Sequence, residues 1–238
     1  KQVYRQMLCI GSIKVKQNIG SDVRYGRIEA RDGYLVMSDL HELTPDDAAI
    51  ILEFDDVMSL MGKPLDVFLD MMHPGTKTFI GCLHIRLDGT AHKHIQQLLL
   101  LSTGASGRGS WRRAGLDLIW DKGAPGEVVH CPGYRTTTGG IDWRCIQEVE
   151  EEQGTGNDVA HTEGLVCSWG GQTAAFSITT RTREPDAIIQ FPVIGHVTRG
   201  LTELRAAIHD YAVIKKRGGA HDIDIEFIAC GVVIGYNF

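Results

Sequence analysis

Asp222, Asp224 and Glu226 alternate with Ile223, Ile225 and Phe227 beside His221. On a strand these carboxylates share one side, and clustered carboxylates can hold a divalent cation for phosphoryl chemistry. The same alternation is what a half-wet strand requires of its solvent face, and that structural reading weighs more. His92 and His94 would share a strand face as metal ligands, yet no third ligand stands at a diagnostic spacing. His130 adjoins Cys131, but neighbours on a strand point to opposite faces, which separates thiol from imidazole. No Gly-x-Ser-x-Gly elbow occurs. The spaced glycines of Gly104–Ser110 are followed by no Lys-Ser/Thr pair, and Gly154-x-Gly156 lacks a third glycine and a helix start. No catalytic residue, metal ligand or cofactor is assigned.

What remains is positive charge. Lys14 with Lys16, Arg108 with Arg112 and Arg113, and Lys215-Lys216-Arg217 are local cationic groups in a chain of formal net charge -6. Such an acidic whole is not the body of a nucleic-acid coat, so contact with a polyanion must be local. Arg108, Trp111, Arg112, Arg113, Lys215, Lys216 and Arg217 are the expected anion- or partner-binding residues. The preceding segment, 102–110, carries three glycines and three serines. It has little apolar area to offset the entropy of ordering, which predicts a flexible, exposed loop. Trp111 between arginines suits a lipid interface or a stacked base. The competing reading makes Trp111 a core anchor and leaves the arginines solvated.

The elements that must position these groups read mainly as strands. Val3 to Val15 alternates, and Arg24 to Met37 is a hairpin turning at Asp32-Gly33. Thr44-Pro45-Asp46-Asp47 predicts a helix start, with an apolar face from Ile51 to Met61 and a stop at Gly62-Lys63-Pro64. Leu65 to Met72 is expected as a short second helix, and Ala91 to Leu101 fits a buried helix or strand equally. Strands follow at Lys77–Leu87, Leu116–Trp120, Glu127–Cys131, Ile141–Val149, Gly164–Trp169 and Gln172–Thr182. Leu201, Leu204, Ile208 and Tyr211 form one helical face, and a closing strand spans Ile223 to Phe227.

The 28 glycines among 238 residues favour tight turns between strands. The expected fold class is α+β and β-dominated: one domain over 1–238, an antiparallel sheet or sandwich packed with two or three helices. Six cysteines without a CxxC predict free buried thiols. With no N-x-[ST] sequon and no apolar run near the roughly 18 residues a membrane span needs, an intracellular, non-secreted protein is expected.

Gly164-Leu165, Gly170-Gly171, the strand Phe176–Thr180 and the helix with Leu204-Arg205-Ala206-Ala207, Tyr211 and Ile214-Lys215-Lys216 follow one another in an order that resembles the C-terminal half of rhabdovirus-type matrix proteins. That resemblance implies a viral assembly protein found in the host cytoplasm or nucleus and in the virion. It would self-associate and bridge nucleocapsid and an anionic membrane surface. Ile223-x-Ile225-Glu226-Phe227-Ile228 is similar to the last conserved strand of tobamovirus-type movement proteins. The alternatives are thus a plant-virus movement protein, or a divalent-metal-dependent enzyme using Asp222, Asp224 and Glu226.

Overall fold

The structure, a computed structural model, describes residues 12–44, 50–147, 162–183, 191–212, 214–215 and 220–236. In chain order the elements begin with β1 (Ile13–Ile19), β2 (Asp22–Arg31), β3 (Tyr34–Ser38), β4 (Ile50–Glu53) and α1 (Phe54–Ser59). β5 (Leu65–His73), β6 (Thr78–Leu87), α2 (His92–Thr103), β7 (Gly109–Ser110), β8 (Gly115–Trp120) and β9 (Val128–Cys131) follow. Then come β10 (Tyr134–Thr136), β11 (Ile141–Asp142), β12 (Leu165–Ser168), β13 (Phe176–Thr179), β14 (Val193–Arg199), α3 (Leu201–Tyr211), β15 (Ile214–Lys215) and β16 (His221–Tyr236).

The main sheet closes on itself. The order β16-β5-β6-β14-β12-β13-β9-β8 returns to β16 through pairing of β8 with β16. Every pairing around this ring is antiparallel. An eight-stranded barrel has an interior that side chains just fill. Here Val67, Leu69 and Met71 of β5, Leu83 and Ile85 of β6, Phe176 and Ile178 of β13, and Ile223, Ile225 and Phe227 of β16 fill it. Leu98 and Leu101 of α2 and Leu204, Ala207 and Ile208 of α3 join the same core.

The expected sheet or sandwich packed with helices is therefore corrected to a closed antiparallel barrel. Alternation within a strand reports one dry face, and an open sheet and a barrel share that signature. Closure lies in the register of β16 with β8, from His221↔Ile119 to Glu226↔Gly115, residues about a hundred positions apart. The expected helix at 65–72 is likewise corrected to strand β5. Its outer face carries Phe68 between Asp66 and Asp70, which makes Val67–Leu69 a continuous apolar run without visible alternation. Residues 50–53 form β4, parallel to β1, so the helix expected from Thr44 is limited among the described residues to α1. Ala91–Leu101 resolves as helix, ended by Gly104 in the left-handed conformation.

β16 is 16 residues long and outlasts the barrel. Its C-terminal part, Gly231 to Tyr236, pairs with β3, and β3, β2, β1 and β4 continue outward as an appended sheet. At Gly231 a Cβ would meet the Met37 carbonyl oxygen at 2.0 Å, so the residue where β16 begins to pair with β3 must be glycine.

Candidate functional site

The barrel wall alternates. Val129 and Cys131 of β9 enter the core, which turns His130 outward; opposite it stand Leu118 of β8 and Ser177 of β13. Trp120 ends β8, Trp169 follows β12, and Phe191 precedes β14. These four residues meet on the outer surface. The Trp169 ring centre lies 4.6 Å from His130, 5.1 Å from Trp120 and 5.9 Å from Phe191, with which it is stacked at 26°. Trp120 and His130 sit 5.5 Å apart, edge to face. Trp169 is 38% and Phe191 47% exposed, so large apolar rings face outward in a chain that buries most of its apolar residues.

His130 is oriented by Asp117, whose Oδ1 lies 3.2 Å from Nδ1. This contact fixes the ring orientation and leaves Nε2 as the second hydrogen-bonding nitrogen. The loop from β8 to β9 is held by the buried Glu127 carboxylate. It accepts the Gly123 amide at 2.6 Å and the Thr180 hydroxyl at 2.6 Å, with Arg181 Nε at 3.5 Å. The aromatic face thus stands on strands and a pinned loop. Its chemistry is that of recognition: π-faces, one oriented imidazole and an exposed carboxylate.

The residues expected to bind a partner are distributed differently. Trp111 is fully buried, packs edge-on against Phe176 at 5.1 Å and donates Nε1–H to the Leu98 carbonyl at 3.3 Å. Its ring is part of the core. Arg112 turns inward to Asp39, while Arg108 and Arg113 are exposed. Ser102 and Thr103 are the buried last residues of α2, and Gly104, which caps it, is buried as well. Lys215 lies in β15, and Lys216 and Arg217 fall outside the described residues. Lys14 is buried and paired with Glu42; Lys16 pairs with Glu53 at 2.8 Å.

Asp222, Asp224 and Glu226 line the face of β16 opposite its core residues, and no group of three metal-binding side chains exists among the described residues. The metal-dependent enzyme is not supported. His92 is exposed and His94 buried on α2, where His94 Nδ1 meets Ser168 Oγ at 3.0 Å. The described cysteines are free thiols, and burial pushes those of Cys131 and Cys230 well up, away from nucleophilic use. No described helix is long and apolar enough to cross a membrane.

Sequence reasoning passed over Trp120, Trp169 and Phe191. Each stands at the edge of a strand, far from the others along the chain, with no spacing rule to connect them.

No family model matches the chain, and no curated protein matches it. Among solved structures it is similar to the Mimivirus cyclophilin, with a TM-score of 0.50 and 18% identity over 74% of this chain and 92% of that chain. At that identity the likeness shows the fold: a cyclophilin-like β-barrel. It overturns the resemblance to rhabdovirus-type matrix proteins and, with it, the reading of a self-assembling layer between nucleocapsid and membrane. The strands that carried the resemblance, β12, β13 and β16, are staves of the barrel. The short motif shared with movement proteins is the segment of β16 that pairs with β8 and β5.

Proposed function

We propose that the protein binds proline-containing peptide segments on the outer barrel face formed by Trp120, His130, Trp169 and Phe191, as a peptidyl-prolyl isomerase or prolyl chaperone. The exposed aromatic cluster carries this reading. Proline lacks an N–H and presents a rigid apolar ring, so aromatic faces are its natural receptor. The X-Pro bond is a tertiary amide whose isomers interconvert over tens of seconds or longer. A face that holds the twisted amide more tightly than either planar isomer accelerates that exchange. His130, whose Nδ1 is engaged by Asp117, offers its other ring nitrogen, Nε2, for a hydrogen bond to the peptide backbone beside the ring. The cyclophilin likeness supports this class of activity through the shared barrel.

The test is an NMR titration of the 238-residue protein with a short peptide bearing one X-Pro bond, read together with exchange between its cis and trans signals. Expected are shifts confined to β8, β9 and the residues around Trp169, absent when proline is replaced by alanine. Accelerated exchange assigns isomerase activity, and binding without acceleration assigns a chaperone. No binding, or equal binding of the alanine peptide, overturns the reading.

A further inference from the structure

Between the appended sheet and the barrel lies an open cleft of about 830 Å³. It is separate from the aromatic face. Its wall includes Arg24, Arg112, Arg113 and Arg135 with Asp22, Asp39 and Glu226. Two of the cations are spent: Arg24 pairs with Asp22 at 3.1 Å and Arg112 with Asp39 at 2.9 Å. Arg113 and Arg135 remain without an ion pair among the described residues, facing one lining carboxylate, Glu226. Exposed Arg108 borders the adjoining hollow, which shares Gly107, Thr136 and Thr137 with this cleft. In a chain of net charge -6 this is a locally positive site.

The two arginines are anchored differently, Arg113 through its backbone and Arg135 through its guanidinium. Arg113 has φ +63°, a left-handed conformation that a side-chain-bearing residue adopts at a cost of about 1 kcal/mol or more. Its amide donates to the Phe227 carbonyl at 2.6 Å, and its own carbonyl accepts Nε–H of Arg135 at 2.7 Å. Arg135 also donates from Nη1 to the Gly139 carbonyl at 3.0 Å. Its guanidinium is thereby fixed by backbone alone, with N–H groups left over. Gly109 lets this happen, since a Cβ there would meet the Arg135 carbonyl oxygen at 2.0 Å. Arg112 and Arg113 are sequence neighbours with opposite tasks: one neutralised inside, one strained outward.

We infer that this cleft binds a phosphoryl group through Arg113 and Arg135, with Arg108 in the adjoining hollow and Thr137 on the wall the two share. A lone carboxylate would saturate one guanidinium fork, whereas the Arg113 guanidinium together with the N–H groups that Arg135 has left over suits a dianion with three acceptor oxygens. The phosphoryl group is either that of a free phosphorylated compound or that of a phosphorylated peptide, and the probes below separate the two.

Titration of the full chain with inorganic pyrophosphate, and with a phosphoserine peptide and its unphosphorylated form, tests this by calorimetry and amide NMR. Expected is binding that weakens with salt and shifts the amides of 107–113 and 135–139, while the aromatic face stays unchanged. Tighter binding of the phosphopeptide than of pyrophosphate assigns a peptide source; the reverse assigns a free compound. Arg113→Gly removes the guanidinium together with its φ penalty, so the melting temperature holds or rises while affinity falls at least tenfold. Arg113→Gln and Arg135→Lys provide the same loss of affinity without the backbone change. Pyrophosphate and phosphopeptide that fail to bind, or that bind these variants as they bind the parent, overturn the inference. Prolyl-peptide binding at the aromatic face is read independently and stands or falls on its own test.

Discussion

Arg112 grips Asp39 as a fork: Nε lies 3.0 and 3.2 Å from the two carboxylate oxygens and Nη2 2.9 Å from one of them. The Asp39 side chain is 1% exposed. Asp39 follows β3 of the appended sheet and Arg112 precedes β8 of the barrel, so the pair rivets one to the other. Ser110 Oγ donates to the same carboxylate at 3.2 Å, and Arg112 Nη1 to the Ile228 carbonyl at 3.0 Å.

Removing one partner leaves a buried charge uncompensated. Asp39→Ala should cost about 3 kcal/mol or more in denaturant unfolding, and the double variant Asp39→Leu with Arg112→Met should recover part of that loss. A single variant within about 0.5 kcal/mol of the parent would show that the rivet carries no stability.

Two histidines set opposite pH dependences. Burial, with the Arg199 charge nearby, pushes His84 down to about 4 from an ordinary value of 6.5. A depressed folded value means stability is full above 6.5 and is lost as pH falls toward 4. His41 is raised above 6.5, first by its hydrogen bond to Asp39. Its contribution is full below 6.5 and fades as pH rises through the folded value. Melting curves across this range should flatten on the acid side in His84→Gln and on the alkaline side in His41→Gln.

Trp111 anchors the core through Phe176 and Tyr134. Trp111→Ala should lose about 3–5 kcal/mol. Trp111→Phe, which keeps most of the ring but loses the bond to the Leu98 carbonyl, should lose less than half as much. Equilibrium unfolding of both variants separates packing from hydrogen bonding.

Trp169 is the centre of the aromatic face and is part-exposed. Trp169→Ala should weaken prolyl-peptide binding by about 2 kcal/mol and change the melting temperature little. A variant that unfolds but keeps full affinity when folded would move Trp169 from recognition to structure.

Short windows of the chain encode the local elements. The Asp32-Gly33 turn, with φ of 46° and 82°, joins β2 to β3 where the dipeptide predicts it. The helix of Leu201–Tyr211 follows its apolar stripe, and β16 follows the alternation of Ile223, Ile225 and Phe227 with acids. Each depends on neighbours within one or two turns of chain.

Other features depend on contacts between distant parts of the chain. β5 escapes a local reading because Asp66 and Asp70 on its outer face are neutralised by Arg86 and Arg31 from other strands, around a buried Phe68. Closure of the barrel rests on β16 pairing with β8, and both candidate sites rest on that closure. Trp120, His130, Trp169 and Phe191 become neighbours only once β8, β9, β12 and β14 are in register around the wall. Arg113 and Arg135 become unpaired cations only because Asp39 claims Arg112 and the backbone claims Arg135. Local propensity and hydrophobic period carry no information about which distant strand edge, carboxylate or carbonyl will be met, because that choice is made by the packing of the whole core.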